Sequence, residues 1–599
     1  MKNKPAARQR HTFAARACVS VLLCAAVLLS SGCTRTDPGA EESESSSPVT
    51  APSVTEAPEE PGSVPVFSHQ GGLYGEGFTL TLAVPGNAPD GAYITYTTNG
   101  KEPGPGSERY RDGISVTGTV SVRASLFSDQ GERLGRIVTQ TYVTDGAAGL
   151  LTVALTADPD DLYSRESGIM ANRDGSGSEW ERPVSVEIYG VNGEALIRQD
   201  AGIRLAGSGS RSFDPASFRL IARKPDKFDG AGLKYNGGGK FNADLFGDGF
   251  SSYDRLLLRN GGNDSPYQAR ENFLRMNLLR DCISNEYCAG LSLRTGVPVF
   301  AQRCVPVNVY LNGEYYGVSI LKEDLDERLL SERFGLDRDR ITVIKGKKLY
   351  YQLESGSQSE LDEWLSLCGY AIDNALSDDF LQAYKYVSDR LDVRNAAAYL
   401  CVMLYLCNTD WPQNNAMVWR YTGKPGDGEY SDGKWRFAIR DMDLCFALHD
   451  APSRVSNTTY TMADTDTFTR LLIFYRDGKG YSYDPSTGYY GDEMKLQGLF
   501  DFLLRSAEFR REFERISAVI SSDAEAKHMT ELTKKLSETA SDGMKRHIST
   551  WKAAGKIFSG YTYKSWSSSF DGIYEFINER PKYFKKYESD AVKYYDGTR

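Results

Sequence analysis

Histidine is scarce in this sequence. Five occur in 599 residues, His11, His69, His449, His528 and His547, and they are scattered. No HExxH segment or His/Cys cluster is present, which argues against a zinc enzyme. Basic charge is also short, since 70 Lys and Arg stand against 80 Asp and Glu, for a formal net charge of -10 and a pI of about 5.4. Nucleic-acid affinity comes mostly from cations that neutralise phosphates, so no nucleic-acid partner is expected. Long apolar runs are missing apart from one at the N-terminus. With a mean hydropathy of -0.44 this excludes a multi-span membrane protein. Cysteine is too sparse for a disulfide scaffold, at 10 residues. Aromatic residues are plentiful instead, with 36 Tyr, 26 Phe and 7 Trp. The length suffices for several domains and at least one sizeable core.

The N-terminus reads as an address. Lys2, Lys4, Arg8, Arg10 and Arg16 precede the apolar stretch Ala17 to Leu29, which ends in Leu29-Ser30-Ser31-Gly32-Cys33. That is a secretory signal over residues 1–33, and it resembles a bacterial lipobox with Ser30 in place of the usual leucine. The resemblance implies lipidation of Cys33 and an exported lipoprotein on the extracytoplasmic face of a bacterial cell. The lipid would then be its one membrane contact. Residues 34–64 are rich in Glu, Ser, Pro and Thr and are expected to form a disordered tether. Seven cysteines follow Cys33, namely Cys282, Cys288, Cys304, Cys368, Cys401, Cys407 and Cys445. An odd number cannot all pair internally, and most lie in apolar runs, so buried free thiols are expected.

Residues 65–146 carry short β-branched and aromatic runs between turn residues, which predicts a small all-β sandwich. Within it, Tyr96-Thr97-Thr98-Asn99-Gly100-Lys101-Glu102-Pro103 followed by Tyr110 resembles the chitobiase/β-hexosaminidase C-terminal-type module. This implies an accessory spacer or a weak glycan contact. Residues 150–487 mix strands and helices, with Asn312-Gly313 at a hairpin turn. Helices are predicted around Arg270 to Ile283, Ser359 to Ala375 and Val393 to Leu406. Residues 488–599 have helical periodicity, as in Phe509, Phe513 and Ile516. The fold class is therefore α+β, with a helical C-terminal subdomain.

The most informative segment is Asn408-Thr409-Asp410-Trp411-Pro412-Gln413-Asn414-Asn415, which follows an apolar helical run. Pro412 breaks any helix, so Asp410 and Asn415 share a tight loop. Further on, the strand Trp435 to Arg440 delivers Asp441-Met442-Asp443. Carboxylates and carboxamides in such loops suit Mg²⁺, a cation that prefers oxygen ligands. Asp410 and Asn415 have the spacing of the kinase catalytic loop Asp-x-x-x-x-Asn, and an aspartate after a later strand plays the metal-ligand part there. The His-Arg that precedes the catalytic aspartate in ordinary protein kinases is absent, as is the glycine after the metal aspartate. Loops rich in Asn and Asp are also common turns. His449 reads as a turn residue rather than an acid-base partner.

At this point the chain resembles the CotH kinase family of atypical kinases. Four further blocks carry the resemblance: Gly202 to Arg211, Leu258 to Asp264, Asn312 to Gly317 continuing to Glu323 and Asp326, and Arg580-Pro581. The resemblance implies an atypical protein-kinase-like domain that transfers the ATP γ-phosphate to protein Ser or Thr with Mg²⁺ (or Mn²⁺). Carried over, Asp410 is the catalytic carboxylate. Asn415, with Asn414 in reserve, and Asp443 or Asp441 are the metal ligands, and the sequence leaves both aspartates open. Arg204, Ser208, Ser210, Arg219 and Glu323 are placed around the nucleotide. The family's usual lysine positions after the Ser-Arg segment hold Pro215 and Ala216 here. That departure keeps a rival open, a non-catalytic surface adhesion or scaffold protein that binds cell wall, glycan or protein.

Overall fold

The computed structural model describes residues 64–597 except 147–148, 227–233, 272–273, 348–349, 413, 425, 427, 447, 449–462 and 469–494. Cys33, the tether, His449 and the expected boundary at 487 lie outside the described residues. Among those described, no helix is long and apolar enough to cross a membrane.

The N-terminal module is built on a five-stranded sheet, whose order is Gly72–Leu73, Val138–Val143, Val120–Phe127, Tyr93–Thr97 and Glu108–Arg109. Two short two-stranded sheets complete it, around a core of Leu80, Ile94, Val116, Val122 and Leu126. The expected spacer is in fact docked on its neighbour. Thr156 Oγ1 donates to Ser121 Oγ at 3.0 Å, and Ser121 meets Thr141 at 2.8 Å, all three buried. Arg198 donates to Gln70 and to the Gly71 carbonyl, both at 3.0 Å. Hydroxyls and amides that leave water must find partners, so these contacts fix one docking geometry.

Next comes a closed seven-stranded barrel, which the sequence did not announce. Five strands run antiparallel in the order Leu151–Thr156, Arg182–Tyr189, Ala195–Leu205, Phe218–Ala222 and Arg255–Arg259. The hairpin Cys304–Leu311 and Glu314–Glu323 closes it. Glu314–Glu323 pairs with Arg255–Arg259, while Cys304–Leu311 runs parallel to Leu151–Thr156. Side chains alternate across each strand. One set, including Val153, Ile203, Leu220, Leu258, Val309 and Leu321, fills the barrel. The opposite set includes Val318 and Ile320, which join the core of the helical region.

A second five-stranded sheet has the order Phe300–Ala301, Arg436–Ile439, Met417–Tyr421, Ile341–Lys347 and Tyr350–Ser355. The helix Val393–Tyr405 is buried from Asn395 onward. Asn395 fixes it by accepting from the Phe437 N–H at 2.7 Å and donating to the Pro298 carbonyl at 2.9 Å. The helical region comprises Lys495–Arg505, Ala507–Ile520, Asp523–Ala553 and Tyr563–Gly597. His547 on the third of these accepts from the Val318 N–H at 3.0 Å, which ties the helix to the barrel wall.

Candidate functional site

The loop after helix Val393–Tyr405 is held by its own amides. Asn408 Oδ1 accepts from the Asp410 N–H at 3.1 Å, while its Nδ2 donates to the Asp441 carbonyl at 2.6 Å. One side chain therefore ties the Asp410 loop to the Asp441–Asp443 loop. Asp410 is fully buried, and its two oxygens accept from Asn414 Nδ2 at 3.0 Å and Asn415 Nδ2 at 2.8 Å. Asn415 has a φ of 66°, a left-handed conformation that asparagine tolerates better than most residues. Asp441 shares that conformation, with a φ of 70°.

The two later aspartates are 1% exposed each. Burial and the neighbouring Asp443 carboxylate push Asp441 well above the usual carboxylate range. Asp443 is pushed up by burial and by Asp281 and Asp410, against the hydrogen bonds of Asn263. Asn263 donates its N–H to Asp443 at 2.7 Å and its amide at 3.2 Å. It lies in the Leu258 to Asp264 block, but its role was missed, because only the fold brings it to a partner 180 positions away. Asp441 Oδ1 is buried and has no hydrogen-bond partner among the described residues. An orphaned carboxylate oxygen beside a second repelled carboxylate is a setting that a divalent cation stabilises.

Opposite these carboxylates the barrel wall presents cations. Arg204, Arg219, Leu257, Lys322 and Cys304 lie in one cross-strand row, each paired with the next. Lys322 is 1% exposed and Arg259 5%, and neither side chain makes a hydrogen bond or ion pair among the described residues. Burial pushes Lys322 down, with Asp281 on helix Arg280–Ala289 opposing. Burial likewise pushes Asp281 up, with Lys322 and Arg259 opposing. Arg259 is lowered by burial against Asp281 and Asp443. Two buried cations whose side chains are hydrogen-bonded to nothing among the described residues favour an added anion.

The remaining expected nucleotide contacts divide. Ser210 is brought in. Its Oγ is buried without a partner among the described residues, and a Cβ on Gly207 would meet that Oγ at 2.4 Å and Arg259 Nη1 at 3.0 Å. Only glycine fits there, at a φ of 96°. Asn260 holds this loop through the Pro215 carbonyl at 2.8 Å. Ser208 is exposed and caps nothing. Arg219 sits in the cation row but is engaged by Asp324 at 2.5 Å. Arg204 is not in the site, because its guanidinium is taken by Glu181. Glu323 is not either. It points to the opposite face of its strand from Lys322, accepts from Arg333 Nε at 2.8 Å and from the Arg303 N–H at 2.8 Å, and is fully buried. Ala216 packs in the barrel with its N–H on Tyr316 Oη at 2.8 Å, so no lysine there would reach the carboxylates.

Residues 203–584 match the family model described as CotH kinase protein. The chain belongs to that family. A second model, the chitobiase/beta-hexosaminidase C-terminal domain, matches residues 69–139. No curated protein matches the chain. The CotH match ends just beyond Arg580, which is fully buried in the last helix. Its guanidinium donates to the carbonyls of Tyr405 at 2.9 Å, Leu404 at 2.7 Å, Ala463 at 2.8 Å and Thr465 at 2.7 Å. It thereby caps the helix that leads into the Asp410 loop.

The donor set fits a hard cation. Among the described residues no three His, Cys, Asp or Glu side chains converge as a ready ligand cage. Mg²⁺ does not need one, since it uses one or two carboxylates and completes its shell with water and phosphate oxygens.

Proposed function

We propose that this CotH-family chain is an atypical protein kinase, which transfers the ATP γ-phosphate to a Ser or Thr hydroxyl with Mg²⁺ or Mn²⁺. One observation carries this reading: buried, mutually repelled Asp441 and Asp443 share a pocket with Asp281 and Arg259, and Asp281 in turn acts on Lys322, both cations lacking a close side-chain partner among the described residues. Asp441 and Asp443 would hold the metal, which, when bound, neutralises phosphate charge. Lys322 and Arg259 would bind phosphate oxygens, with Asp281 orienting Lys322. Asp410 would orient the acceptor hydroxyl, its carboxylate aligned by Asn414 and Asn415. Lys322 then fills the part that the missing lysines at 215 and 216 left open. Cys33 would anchor the protein outside a bacterial cell, so a surface protein is the expected substrate. A cavity of about 200 Å³ between module and barrel, lined by Gln70, Gln140, Arg198 and Asp200, supports a glycan contact beside that role.

A scaffold reading has one point in its favour, that both Asp410 oxygens are already hydrogen-bonded within the loop. Calorimetry of ATP binding with and without Mg²⁺ separates the two. Metal-dependent binding is expected, weakened at least tenfold in Lys322→Met and in Asp443→Asn, with autoradiography showing phosphate on protein. In metal-free buffer Asp441→Asn should melt above the parent, because a repelled buried charge has gone. No binding at millimolar nucleotide by folded protein would leave the scaffold reading standing.

A further inference from the structure

Two buried sulfurs stand beside the candidate site without a role in it. Cys282 follows Asp281 on helix Arg280–Ala289, and Cys304 opens a barrel strand and pairs in register with Lys322. Their Sγ atoms are 3.1 Å apart, roughly 1 Å longer than a disulfide bond. Both residues are fully buried in the core that joins the barrel to the helices. A thiol is a weak donor, so an S–H···S contact contributes little by itself.

We propose that Cys282 and Cys304 are a disulfide pair, closed while the chain folds, which ties the Asp281 helix to the barrel wall at Lys322. The oxidant is a disulfide, R–S–S–R, small or carried by a protein. The thiolate of one cysteine attacks it and expels one R–S⁻. The second thiolate then displaces the other R–S⁻ from the mixed disulfide. Two thiols lose two protons and two electrons, and R–S–S–R becomes two R–SH. Burial raises both thiols in the folded protein, Cys304 well above its ordinary value, so exchange belongs to the folding chain rather than the finished one. The bridge would brace the helix that sets Asp281 against Lys322. An oxidising compartment is part of the exported-kinase reading above, whereas the pairing itself stands on the geometry alone.

The test uses the full chain, refolded with glutathione disulfide and quenched with iodoacetamide. Trypsin cuts at Arg294 and Arg303, so the two cysteines fall on different peptides. The expected result is a linked mass joining peptides 281–294 and 304–322, lost on reduction with dithiothreitol. The link should persist in Cys288→Ser, the other cysteine of the first peptide, and vanish in Cys282→Ser and in Cys304→Ser. Reduction should also lower the melting temperature by several degrees. Alkyl groups on both Cys282 and Cys304 in natively folded protein would overturn the proposal, as would a link from Cys282 to any other cysteine. The mapping needs no nucleotide, so its failure is separate from failure of the kinase reading.

Discussion

Single side chains decide the chemistry, and neighbours in sequence can have opposite fates. Glu323 was a candidate and Lys322 is its neighbour, yet alternation along a strand places the two on opposite faces. Which face looks at Asp443 depends on barrel closure, and nothing local to those residues encodes that. Asn263 was hidden for the same reason, since its carboxylate partner arrives from a distant strand end. Asp410, Asn414 and Asn415 were legible because one proline-broken loop contains all three. His547 gives a prediction at this scale. It accepts from a backbone N–H in a dry core, and burial pushes it down to about 3. The unfolded chain protonates this histidine near its ordinary value of 6.5 while the native state resists. Its contribution to stability is therefore intact above about pH 6.5 and lost progressively as pH falls toward 3. Near pH 5.5 the loss is about 1.4 kcal/mol. Urea unfolding across that range should show a shallower pH dependence in His547→Gln, whose amide oxygen can still accept from Val318.

At the scale of elements, the two helices that flank the chemistry were read with different success. Val393–Tyr405 was expected almost to the residue, because the apolar run from Ala396 follows within a turn of the capping Asp392. Arg280–Ala289 was expected to start near Arg270. It starts later because Leu278 has a φ of 71° and Asp264 captures the Asn277 and Arg280 N–H groups at 3.0 Å. A buried carboxylate here acts as a helix cap from outside the helix, which no window of sequence reveals. Arg580 is the counterpart at the other end. Replacing it with Ala removes a charged donor from three buried carbonyls and one part-buried one, and should destabilise the protein by about 3 kcal/mol or more. Arg580→Lys should recover only part, since one ammonium cannot reproduce the fork. Denaturant melts of the two variants against the parent measure the difference.

For the whole molecule, the α+β class and the order of a β module, a mixed core and a helical end were legible from periodicity. The barrel was not, because its closing contact is a parallel pairing between Leu151–Thr156 and Cys304–Leu311, far apart in the chain. The accessory module was recognisable by its turn signature, while its docking was invisible. Buried hydroxyls and Arg198 join it to the barrel, and Arg546 of the long helix Asp523–Ala553 forms an ion pair with Asp145 at its edge. Scanning calorimetry should therefore show module and barrel melting in one cooperative transition. Two separated transitions would mean that the module is the independent spacer its sequence suggested.

Arg580 has a further consequence, one of timing. Synthesis runs from the module toward the last helix, so every carboxylate of the site is made well before the residue that caps the Asp410 helix. A nascent chain cannot complete the site until that final helix has been delivered. Premature termination would leave a protein with all its acidic groups and no clamp. The Asp410 loop therefore stays unbraced in any chain that lacks this last helix.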